Sequence, residues 1–176
     1  MSHNKDAPQI SPGEGSTNMM TRRALLVTST IGLTVGRIAA SHATETFEVV
    51  HSDAEWRKLL TPVQYSVLRK AATERPFTSP LLDEHSHGTF ACAGCELALF
   101  SSDTKFESGT GWPSFWAPLD KAVGTTQDTT FGMTRTAVEC ARCGGHLGHV
   151  FDDGPKPTGL RYCMNGVALT FKPATA

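Results

Sequence analysis

The sequence predicts a mainly β domain of the α+β class, with short helices leading a set of strands and a structural metal site clamping them. Three observations carry this. Helix-capping signatures stand at Ser52 and Thr61, short apolar or alternating segments broken by turn residues run from Gly88 onward, and two Cys-x-x-Cys units occur at Cys92/Cys95 and Cys140/Cys143.

The helices come first. Ser52-Asp53-Ala54-Glu55 and Thr61-Pro62-Val63-Gln64 each place a side-chain acceptor three residues before Glu or Gln, and Pro62 suits a first helical position. Trp56, Leu59 and Leu60 are expected to share one face of the first helix, while Tyr65, Leu68 and Ala72 recur at helical spacing and cover the core. Beyond Gly88 the clearest strand candidates are 133–138 and 167–171; in the second, Val167, Leu169 and Phe171 point one way and Ala168 and Thr170 the other.

Residues 1–43 read as a leader outside the folded domain, which is expected to occupy 44–176. The first 18 residues are rich in Pro, Gly, Ser and Asn, unsuited to a packed core. Arg22-Arg23 then precede a weakly apolar run from Ala24 to Gly36 and small residues around Ala39, Ser41 and Ala43. This pattern resembles a twin-arginine export signal, cleaved after Ser41-His42-Ala43, and predicts a periplasmic domain with no stable membrane insertion after cleavage. The run is shorter than the roughly 20 residues of a spanning helix, and Arg37 interrupts it. A cytoplasmic extension or an organelle-targeting leader is the competing reading.

With 16 Lys plus Arg against 17 Asp plus Glu, the chain has a formal net charge of -1, so no positive field draws it to nucleic acid. Five cysteines divide into two tight pairs and a single residue, Cys163. Each pair presents two thiolates at metal-ligand spacing, and together they complete a four-sulfur, tetrahedral, structural zinc site, one per chain. Gly94, Gly144 and Gly145 are expected to allow the tight backbone of such turns. Two disulfides or a thioredoxin-like motif are the alternatives; both units in one chain favour zinc.

Arg161-Tyr162-Cys163-Met164-Asn165 sets the leftover cysteine beside a cation that favours thiolate, with Asn165 two residues on along a strand. An inert buried thiol is the alternative. His146 and His149 directly follow the second cysteine pair, so a metal clamp would anchor two imidazoles suited to general-acid or oxyanion roles. Gly109-Thr110-Gly111-Trp112-Pro113-Ser114-Phe115-Trp116 adds a glycine-framed aromatic cluster that suits either a pocket for an apolar group or plain core packing.

Together these motifs, in order from Glu55 to Pro173, resemble the B-type methionine sulfoxide reductases, which reduce the R epimer of methionine sulfoxide in peptides and proteins. The resemblance implies two antiparallel sheets in a barrel-like, tent-shaped core with helices at the N-terminal side. It implies Cys163 as nucleophile, Trp112 as the indole packed on the substrate methyl, with Phe115 beside it, and His146, His149 and Asn165 around the sulfoxide oxygen. Asp153 and Arg161 match charged positions of that site. Many members carry a second, resolving cysteine where this chain has Thr110. A monomer whose Cys163 sulfenic acid is reduced by a thioredoxin-like protein or small thiol is therefore expected. Two rival classes are a zinc hydrolase, with metal on His146, His149 and a cysteine, and a zinc-ribbon binding module.

Overall fold

The computed structural model describes residues 47–175, so the leader expected over 1–43 lies outside the described residues. Among the described residues, no helix is long and apolar enough to cross a membrane. Two helices open the fold, α1 (Asp53–Leu59) and α2 (Pro62–Lys70). Both capping boxes form: Ser52 exchanges hydrogen bonds with Glu55, and Thr61 with Gln64. Each satisfies backbone donors that the first helical turn leaves free. Trp56 and Leu60 are buried as expected, but Leu59 is 60% exposed, because α1 ends there and Leu60 leaves in extended geometry. Tyr65 and Leu68 are buried, whereas Ala72 lies past the left-handed Ala71 that ends α2.

Among the described residues nine strands follow: β1 (Gly88–Cys92), β2 (Ala98–Ser101), β3 (Lys105–Phe106), β4 (Ser114–Phe115), β5 (Val123–Asp128), β6 (Arg135–Cys140), β7 (His146–Phe151), β8 (Arg161–Met164) and β9 (Leu169–Pro173). They form two antiparallel sheets, β2-β1-β9 and β3-β4-β8-β7-β6-β5. The sheets stay open and do not close into a barrel. Aromatic packing joins them: Phe115 of β4 stacks on Phe100 of β2 at 4.4 Å and meets Phe90 of β1 edge-on at 4.9 Å.

Two strands are displaced from their expected bounds. Strand β6 begins at Arg135 because Thr130–Gly132 is a 3-10 turn that Met133 ends. Strand β9 begins at Leu169 because the Gly166 and Val167 amides donate to the Glu74 carboxylate, at 2.6 and 3.3 Å, and 166–168 coil into a 3-10 turn.

Candidate active site and metal clamp

The four paired cysteines meet where the sheets approach. Cys92 ends β1 of the small sheet and Cys140 ends β6 of the large one, so each sheet brings one pair. All four Sγ atoms lie within 4.8 Å of one another, with Cys92 and Cys143 at 3.8 Å and Cys95 and Cys140 at 3.4 Å. Zinc–thiolate bonds near 2.3 Å in a tetrahedron place sulfurs roughly 3.8 Å apart, so the cluster fits such an ion. Hydrogen bonding with Cys140, reinforced by burial, pushes the Cys92 and Cys143 thiols up, and the same contacts push Cys140 down. Ionised together, four clustered thiolates, three of them buried, would need a cation to share the space.

Both turns have the same backbone plan. Cys92 N donates to Leu97 O and Glu96 N to Cys92 O; Cys140 N donates to Gly145 O and Gly144 N to Cys140 O. The residue after each second cysteine is left-handed in both, Glu96 at φ 62° and Gly144 at φ 66°. The expectation placed on Gly94 is therefore corrected: the special conformation falls at Glu96, while Gly94 packs beneath Leu68 and Trp56. Helix α2 adds Arg69, which donates to the Cys143 carbonyl at 2.9 Å.

Because β7 starts at His146, directly after the second turn, the clamp sets the position of the neighbouring site. Strand register places Ser114 of β4 and His149 of β7 on either side of Cys163 in β8, all on one face. That face floors an open cleft of about 110 Å³ lined by Trp112, His149, Cys163 and Asn165, together with Thr73, Arg135, Gly148 and Phe151. Gly148 is required by close approach, since a side chain there would collide with the Cys163 carbonyl across the β7–β8 pair.

Trp112 is fixed by its indole N–H, which donates to the Glu74 carbonyl at 2.9 Å. Asn165 lies just past β8 instead of along it. Its amide donates to Leu147 O at 3.0 Å and accepts from Glu74 N at 2.8 Å, so the backbone on two sides holds it at the cleft. Thr110 Oγ1 stands 3.8 Å from Cys163 Sγ and 2.8 Å from Ser108 Oγ.

The two histidines differ. His146 is buried, its ring 5.3 Å from that of His149, and burial first and His149 second hold its pKa down to about 4. His149 lines the cleft and meets Asp128 at 2.8 Å.

None of the three other residues expected at the substrate lines the cleft, although Arg161 shares the Cys163 face of β8. Phe115 is fully buried between the sheets: Ser114 faces the site, so strand alternation turns Phe115 to the core. Asp153 and Arg161 hold each other in a bidentate pair at 2.9 and 2.8 Å, which holds the Asp153 carboxyl below and the Arg161 guanidinium above their usual ranges. Neither lines the cleft; Arg161 instead stacks 4.4 Å over Phe151, which does. Asp128, Arg135, Glu74 and Phe151 escaped sequence reading, although Phe151, two residues from His149 on an alternating strand, was accessible to it.

The hydrolase alternative requires His146 and His149 to converge on a metal with a cysteine. Among the described residues, the group able to hold a metal comprises Cys92, Cys95, Cys140 and Cys143, and His149 is engaged with Asp128.

Residues 60–173 match the model of the SelR domain. The chain is 54% identical over 127 residues to a peptide methionine sulfoxide reductase MsrB of Leptospira interrogans, covering 72% of this chain and 97% of that protein. It is 55% identical over 127 residues to the MsrB of Agrobacterium fabrum, covering 72% and 94% of the two chains. With the MsrB of Pseudomonas putida strain W619 it shares 59% identity over 120 residues, 68% of this chain and 90% of the other.

Proposed function

Since the chain belongs to the MsrB family of peptide methionine sulfoxide reductases, we propose that it reduces methionine-R-sulfoxide in oxidised peptides and proteins, with Cys163 as nucleophile. The observation that carries this reading is the half-buried Cys163 at the floor of a cleft between a fixed indole and His149.

The cleft's chemistry follows from its residues. The Trp112 face receives the sulfoxide methyl and sets the sulfur over Cys163. Cys163 thiolate forms a bond to that sulfur while the oxygen takes a proton from the imidazole side of the cleft through water. The hydroxyl then passes to Cys163 as the sulfur–sulfur bond breaks. Methionine sulfur gains two electrons, Cys163 loses two, and the products are methionine and a Cys163 sulfenic acid. One external thiol condenses with it, releasing water; a second displaces Cys163 and leaves as the disulfide. Asn165 holds the turn after β8 in register with this chemistry.

The ion we assign to the four-cysteine cluster is zinc, which in a closed four-thiolate site clamps the sheets without touching substrate. Those cysteines are thereby committed, and position 110 holds a hydroxyl, so the electrons for recycling come from a thioredoxin-like protein or small thiol. Export through the twin-arginine leader over residues 1–43 is the compartment we propose, on the strength of Arg22-Arg23 and the apolar run after them.

Single turnover tests the reading. Without thiol, one equivalent of methionine per chain is expected from the R epimer, with a dimedone-reactive group at Cys163. Methionine release without modification of Cys163 contradicts it. Thr110→Cys is expected to convert the recycling route. A sulfur in place of Thr110 Oγ1 starts about 3.8 Å from Cys163 Sγ and needs a rotamer shift of ~2 Å to reach disulfide length. After one turnover that variant should carry an internal disulfide by peptide mapping, whereas the parent carries none.

A further inference from the structure

Asp128 ends β5 on the face that carries the cleft, and nothing in its local sequence marks it. Its Oδ1 accepts from Thr130 N at 2.9 Å and Thr130 Oγ1 at 2.7 Å, which fixes the carboxylate plane within its own turn. Its Oδ2 accepts from Arg135 Nη2 at 2.6 Å and meets His149 Nε2 at 2.8 Å. The side chains of Asp128 and His149 are only 15% and 12% exposed, so these contacts are shielded from water. From the Asp128–His149–Arg135 cluster we propose that Asp128 is a positioning residue that holds His149 as the Nε2–H tautomer and so makes His149, not His146, the proton donor.

The chemistry runs from the carboxylate outward. Thr130, followed by His149 and Arg135, holds Asp128 well below the usual carboxylate range, so it remains an acceptor. An ionised carboxylate against Nε2 demands a hydrogen there, which leaves Nδ1 as the exchangeable atom. His149 and Cys163 are direct partners across β7 and β8, so that atom works beside the reacting sulfur. His146, held neutral by burial, hydrogen-bonds to no carboxylate among the described residues. The groups around His149 are Asp128 from β5, Arg135 from β6, His146 and Phe151 from its own strand, and Cys163 from β8. Arg135 shares Oδ2 with His149.

This inference rests on the reductase reading, and its test separates the two. Imidazole nitrogen spectra of the zinc-loaded parent should show His149 as Nε2–H, and Asp128→Ala should spread it over both tautomers. In Asp128→Asn, kcat on the R-sulfoxide should fall roughly ten- to hundredfold with KM little changed. In a His149→Gln background the same substitution should cost little more. An unchanged tautomer in Asp128→Ala, or a loss that adds in full to that of His149→Gln, overturns the proposal. A parent that fails to reduce sulfoxide while showing the Asp128-dependent tautomer removes the reductase reading and leaves the dyad standing.

Discussion

Cys163→Ser is expected to abolish reduction of the R-sulfoxide, by at least about 10⁴-fold in kcat/KM, while the domain stays folded. A serine hydroxyl is far weaker than a thiolate as a nucleophile toward sulfur, and it has no accessible sulfenic state to carry the oxygen away. The substitution is nearly isosteric at a half-buried position, and Thr110 Oγ1 and the neighbouring Ser114 already provide a polar surround. Thermal unfolding should therefore stay within a few degrees of the parent. Retained turnover in this variant would move the chemistry to another residue.

Removing the clamp should have the larger effect on the fold. Each sheet delivers one cysteine pair, so Cys92→Ser or a strong chelator loosens the junction between them at one stroke. Structural zinc sites contribute about 10–16 kcal/mol of apparent binding free energy, comparable to or above the ~5–15 kcal/mol of a whole domain. The variant is expected to lose its cooperative melt at 25 °C and to release its metal, measured by circular dichroism and a colorimetric metal assay. Activity falls with it, because β7 and its two histidines start at the second cysteine turn. A metal-free protein that melts like the parent would contradict the clamp.

What was legible in the sequence was local. Capping at Ser52 and Thr61 depends on residues three apart, and each cysteine turn closes within six residues, so both could be read directly. The face carrying Cys163 was partly legible: alternation was extended from it to Asn165, which lies just past β8 and still lines the cleft. Alternation also divides the aromatic cluster, for which pocket and core packing were both open: the strand sends Ser114 and Phe115 to opposite sides. Asp128 and Arg135 were invisible because they reach the cleft through strand pairing across β5, β6 and β7, with His149 21 positions after Asp128. Glu74 was missed for the same reason. Its contacts with Trp112, Asn165 and Gly166 join a loop after α2 to segments 38 to 92 residues away.

The most direct test of the central claim is thiol-dependent reduction of the separated R and S sulfoxides of a protected methionine by the zinc-loaded domain. Reduction of the R epimer alone, abolished in Cys163→Ser, is the predicted result. Turnover of the S epimer, or no turnover of either by a folded, metal-loaded protein, would contradict it and return the paired-cysteine fold to the binding-module reading.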